Sequence, residues 1–218
     1  RAGSPGYILY TFNSSGSQLS SSTSNFDFRG LWWNSNNQSL EGNGFSNKGY
    51  RQVNLDGSGY ALGSGTNAPV GQNQPTTQSV GDYNYKLDQT IFYNSGSISS
   101  YNRITGALVS TVNVTGLPVS TSNLNGNVIG YSGIVGNEAV VFDKVMKKVY
   151  FIDLATGAYS QTVQLPSNAP TPTNFNMSFA NGRIFLSNCN SWMSYIIWNE
   201  GTGLVVTDNC GIASISQT

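Results

Sequence analysis

A hairpin turn that comes back five times constrains this chain more than anything else in it. An alternating apolar run leads into Asn or Asp, two to four residues including a glycine follow, and a second strand-like run begins. The pattern stands in YTFNSSGSQLS around Gly16, RQVNLDGSGYAL around Gly57 and SSYNRITGALVSTVNV around Gly106. It returns in YFIDLATGAYSQTVQL around Gly157 and YIIWNEGTGLVV around Gly203. Asn and Asp tolerate the left-handed backbone of a tight turn and glycine supplies positive φ, so the chemistry is that of a β-hairpin. Successive glycines lie 41, 49, 51 and 46 residues apart.

A second turn also recurs. GLWWNSNNQSLEG sets an apolar pair before Asn34, and AVVFDKVMKKVYF does the same before Asp143. DYNYKLDQTIFYN and FNMSFANGRIFLSN, with a turn at Ala180-Asn181-Gly182, are fainter copies. Short antiparallel strands repeating at roughly 45 residues predict an all-β fold of the β-propeller kind, in which blades bury their faces against one another. No long stretch carries helical periodicity, and Gly and Asn interrupt each candidate. The expectation is one propeller domain over residues 1–218, whole or as part of a larger surface protein. The first hairpin, Tyr7 to Ser21, reads as the closing half of a blade, and the tail GIASISQT as a strand of its opening half. Joined, they would close a five-bladed ring by shared strands and leave no edge. Gly63 to Ser79 reads as a polar surface loop.

TIFYNSGSISSYNRITGALVSTVNVTG, from Thr90 to Gly116, resembles a repeat of the YVTN type found in secreted and cell-surface propellers. FDKVMKKVYFIDLATG resembles the related pattern in which a D-P-x-T-x-x-L-Y turn joins two strands, with Lys144 where that pattern prefers proline and Ser35 there in the first copy. The resemblance implies a scaffold. Its relatives include adhesins, surface-layer proteins and enzymes, so no active site is carried across.

Charge and missing residue types remove many functions. Charged residues make up 9% of the chain, ten basic against ten acidic, which leaves no field to steer nucleic acid or a membrane surface. No apolar run is long enough to insert in a bilayer. With no histidine, the commonest general base and transition-metal ligand is missing, and no G-x-S-x-G elbow or S-x-x-K stretch occurs. Cys189 and Cys210 form an even pair, which predicts one disulfide and an oxidising, secreted or cell-surface location.

Two kinds of residue remain as site candidates. Hydrolysis of a glycoside needs two carboxyl groups at a fixed separation, and Asp27 with Asp88 or Glu138 is the set to consider, since these acids read as lying outside turns. Asp27 has Arg29 two residues on, on the same strand face. Aromatic faces beside amides suit sugar rings, which brings forward Trp32, Trp33, Trp192 and Trp198; the adjacent Trp32 and Trp33 must point to opposite faces. NLDGSG, with Asn54 and Asp56, opens like an oxygen-ligand calcium loop, but Leu62 stands where a closing acid is needed, so a hairpin turn is expected and no cofactor. The sequence thus predicts recognition or adhesion, with a glycan or protein surface bound through rim loops. A carbohydrate-active hydrolase and a structural domain of a surface or filament assembly are the other two readings.

Overall fold

The computed structural model describes residues 7–13, 15–24, 26–47, 49–58, 61–67, 73–172, 176–188, 192–198, 205–208 and 215–216. Five antiparallel sheets follow one another in chain order. An opening hairpin pairs β1 (Tyr7–Phe12) with β2 (Gln18–Ser24). Sheet I is the meander β3 (Trp32–Asn34), β4 (Ser39–Asn43), β5 (Tyr50–Leu55) and β6 (Ala61–Asn67). Sheet II takes β7 (Asp82–Asn84), β8 (Gln89–Asn94), β9 (Ser97–Asn102) and β10 (Leu108–Asn113) in the same way. Sheet III has β11 (Gly130–Tyr131), β12 (Ala139–Asp143), β13 (Lys148–Ile152) and β14 (Tyr159–Gln164). Sheet IV runs β15 (Met177–Ala180), β16 (Arg183–Ser187), β17 (Trp192–Ile196), β18 (Val205–Asp208) and β19 (Ile215–Ser216). Among the described residues the only helical pieces are two 3-10 turns, Phe45–Asn47 and Thr121–Asn123, so none could cross a membrane.

The turns form where the sequence has Asx residues. Asn102 Oδ1 accepts the backbone N–H of Ile104 (3.0 Å) and Thr105 (2.9 Å), and Asp153 Oδ1 accepts those of Ala155 (2.7 Å) and Thr156 (3.2 Å). Each such turn closes on a glycine in the left-handed region, Gly106 and Gly157. At Gly157 a Cβ would also lie 2.1 Å from the Asn113 carbonyl oxygen, so nothing larger fits there. The recurring glycine turns join the last two strands of sheets I, II and III and the two strands of the opening hairpin. Gly203 lies outside the described residues, as do Cys189, Cys210 and the disulfide expected of them.

The middle strands of sheet III are buried on both faces. AVVFD of β12 is buried at every position and KVYFI of β13 at all but the first, so they read as continuous apolar runs and not as alternating ones. In sheet II the last strand is the exposed one: in β10 only Val112 is even half-buried. Two details differ from the sequence expectation. β19 extends sheet IV by pairing with β18, while β1 and β2 pair with each other, so the tail adds a fifth strand to its own sheet. The segment from Gly63 to Ser79 begins inside β6, and it includes the buried Gln74 and Ser79, to both of which Asn43 Nδ2 donates.

The chain divides into two compact units, residues 1–92 with 100–110 and residues 93–99 with 111–218. In the first, Trp32, Tyr50, Tyr83, Phe92 and Tyr101 form one aromatic cluster, with Trp32 edge-on to Tyr50 and Phe92 edge-on to Tyr101. Leu9, Phe26, Phe28 and Val53 form another. In the second, β12 and β13 are the centre of the core, together with Phe179, Ile184 and Tyr195.

Candidate functional site

Asn43, at the end of β4, fixes the frame of the site in the first unit. Its Oδ1 accepts the N–H of Gly30 and of Gly81, both at 3.1 Å, and its Nδ2 donates to Ser79 O (2.8 Å) and Gln74 Oε1 (3.1 Å). All four bonds of a buried amide are thus made, and they tie the approach to β3 to the approach to β7. Close contact does the rest. A Cβ on Gly30 would lie 2.4 Å from the Gly81 carbonyl oxygen, and one on Gly81 would lie 2.4 Å from the Phe92 ring.

At the far end of these strands, the turns after Asn34 and Asn84 have the same geometry. Asn34 Oδ1 accepts the N–H of Asn36 (3.0 Å) and Asn37 (3.4 Å), and Asn84 Oδ1 those of Lys86 (3.2 Å) and Leu87 (3.3 Å). The fifth residue of each turn, Gln38 and Asp88, is left-handed, with φ of 55° and 51° and no glycine to ease it. Asp88 is therefore a turn residue, against the sequence reading. What sets Asp88 apart from Gln38 is what its side chain meets.

That meeting is an ion-pair network. Arg103, just after β9, donates from Nε to Asp88 Oδ1 at 2.6 Å, and its backbone N–H donates to Asp88 O. Tyr83 OH donates to the same Oδ1 at 2.8 Å, and Asn36 Nδ2 donates to Tyr83 OH at 2.8 Å. Arg103 Nη1 lies 3.6 Å from Glu41 Oε2, close enough to pair but too far to hydrogen-bond. Glu41, 0% exposed on β4, also accepts Asn34 Nδ2 (3.2 Å) and Asn37 Nδ2 (2.9 Å), and Ser39 Oγ lies 3.0 Å from its Oε1. Beneath the network, Tyr50 OH is hydrogen-bonded to Thr90 Oγ1.

The electrostatics follow from these contacts. Burial by itself would raise the Asp88 carboxyl, but the bonds from Arg103 and Tyr83 outweigh it and hold the group below the usual carboxylate range. Burial opposes charge on Arg103 too, and its bond to Asp88, with Glu41 nearby, more than restores it. The Tyr83 hydroxyl is pushed well above its ordinary value, first by burial and then by the Asp88 carboxylate it donates to. Neither contact to Asp88 uses Oδ2, and its side chain is 33% exposed. Around it stand exposed Asn36, Asn37, Lys86, Tyr85 (45%) and Leu87 (63%).

The other predicted residues are placed separately. Asp27 precedes β3, at the opposite end of that strand from the Asn34 turn, and its Oδ2 accepts Arg29 Nη2 at 2.7 Å while Oδ1 is buried without a hydrogen bond. Arg29 in turn sits over the Phe45 ring. Glu138, in the second unit, accepts Gly136 N–H (2.9 Å) and Leu154 N–H (3.2 Å). Each of the three acids therefore has its own partners, and Asp27 and Asp88 share none. Trp32 is in the core, and Trp33, on the opposite face as expected, is 49% exposed. Trp192 is exposed and Trp198 half-buried. Asn54 lies on exposed β5 backbone, and Asp56 Oδ1 accepts Ser58 N–H (2.8 Å) as the cap of a hairpin turn. Among the described residues, no three Asp, Glu, Cys or His side chains converge as metal ligands would.

No protein-family model matches the chain, and no curated protein is similar to it in sequence. Among solved structures it is similar to the glutaminyl cyclase of Myxococcus xanthus, with a TM-score of 0.54 and 16% identity over 85% of this chain and 79% of that one. It also aligns with apo AztD of Citrobacter koseri, at a TM-score of 0.37 and 13% identity, spanning 96% of this chain and 56% of that one. The first likeness, with five successive antiparallel sheets, defines the class: a propeller-like, all-β protein. At such identity it is the fold alone that is shared.

Proposed function

We propose that this protein is a recognition and adhesion module, secreted or held at a cell surface. It is built on a five-bladed propeller with repeats of the YVTN type and binds a glycan or a protein surface through its rim turns. Five successive sheets, most of them closing on the same Asx-glycine turn, support the blade count. One observation carries the binding reading. Asp88 is pinned through one oxygen and offers the other at the surface, among exposed amide and aromatic side chains. The ligand would meet a preorganised rim, with little ordering left to do on binding. Catalysis by proton transfer is poorly served there, because a general acid needs a raised carboxyl and that of Asp88 is lowered.

A glycan array at physiological salt, with and without a chelator, tests this. A saturable hit is expected, lost in Tyr85→Ala and unchanged by chelation. Loss under chelation would turn the Asn54–Asp56 turn into a calcium site. Hydrolysis of the arrayed sugars, abolished in Asp27→Asn or Asp88→Asn, would replace recognition by a hydrolase. A blank array in both buffers would remove the glycan and leave protein contacts in a structural assembly.

A further inference from the structure

Resting on that rim reading, we propose that the surface oxygen of Asp88 takes a primary ammonium group, from a lysine side chain or an amino sugar. Oδ1 already accepts two donors, so Oδ2 is the one oxygen left to a ligand. A guanidinium fork is best met by two parallel acceptors, whereas an ammonium is a point charge that one oxygen can serve. A neutral hydroxyl would fill the position too, but the charge count favours a cation. Glu41 and Asp88 share one guanidinium, which leaves those three groups one formal negative charge over before Lys86 is counted.

The network also holds an unmet donor. Arg103 Nη1 is buried and makes no hydrogen bond; its side chain is 7% exposed and pairs with Glu41 only at 3.6 Å. One cation is stretched between two acids. A second cation at Asp88 would let it serve Glu41 more fully. Tyr85, exposed on the same turn, presents an aromatic face of the kind that attracts ammonium groups. Lys86 works against the site, being an exposed cation two residues from Asp88.

The test titrates the full chain at low salt with Nα-acetyl-lysine methylamide, its Nζ-acetylated form, glucosamine and glucose, following backbone amide shifts by NMR. The two amines are expected to bind at least tenfold more tightly than their neutral counterparts, with shifts centred on Tyr85 to Gln89. Whichever amine binds more tightly identifies the source, a protein lysine or an amino sugar. Asp88→Asn should erase the preference. Should that variant not fold, Lys86→Ala serves, and it should tighten the amines several-fold while leaving the neutral ligands unchanged. Glucose binding as well as glucosamine at this turn would overturn the ammonium proposal and leave the rim reading standing. Shifts confined to another surface, or no shifts with any ligand, would overturn the proposal; paired with a blank array, they would take the rim reading with it.

Discussion

Asp88 in sheet II and Glu138 in sheet III do the same mechanical work by different means. Each fastens the first loop of its sheet to the last turn. Glu138, at the end of the loop between β11 and β12, accepts one N–H within that loop and one from Leu154 in the turn between β13 and β14. Asp88, in the turn between β7 and β8, reaches Arg103 in the turn between β9 and β10. Backbone amides serve both Glu138 oxygens with neutral donors and need no cation. The ion-paired fastening requires a guanidinium, draws in Glu41 from sheet I, and leaves an oxygen outside. Backbone donors alone would have served the fold, so the ion-paired staple is where a function should be sought.

The comparison breaks most readily at Glu41. Glu41→Ala would strand Arg103 as a buried charge with Asp88 alone and leave the Asn34 and Asn37 amides without their acceptor. A loss of about 3 to 5 kcal/mol is expected on removing one partner of such a buried network. The readout is the urea midpoint. A loss under roughly 1 kcal/mol would mean that water replaces the carboxylate freely. Glu138→Gln tests the other staple and should cost less, about 1 kcal/mol, because the amide oxygen still accepts one of the two N–H groups. Equal losses at the two sites would erase the distinction between them.

Local chemistry was legible in the sequence, and pairing across distance was not. The glycine turns were found at Gly16, Gly57, Gly106 and Gly157, since the signal lies within five residues. The other turn is legible too, but not the strands it joins. Asn34, Asn84 and Asn181 join the first and second strands of their sheets, whereas Asp143 joins the second and third. An Asx turn looks the same whichever strands it connects, and β11, the strand that shifts the count, is only two residues long. Asp88 is not easily assigned to a turn from its neighbours, although its spacing from Asn84 equals that of Gly106 from Asn102. An acid at the position where glycine belongs was the available signal. Nothing near Arg103 or Glu41 in sequence announces the other, because their pairing depends on Asn43 drawing Gly30 and Gly81 together.

The smallest effect expected is a pH dependence confined to acid. Asp88 is lowered from 3.8 in the folded protein, so its carboxylate form favours the fold. That contribution is complete above the ordinary carboxylate value and is lost as pH falls below 3.8 and through the still lower folded value. Comparing the wild type with Asp88→Asn isolates it. The difference in melting temperature should be constant from pH 8 to pH 5 and should shrink below about pH 4, as protonated Asp88 comes to resemble the amide. With its side chain a third exposed, solvent screens the pair, and the change should amount to a few degrees at most. A difference that stays constant down to pH 2 would show that Asp88 acts through turn geometry and hydrogen bonding alone. The charged staple would then be no more than the mechanical equal of Glu138, and the case for ligand charge at this rim would lose its footing.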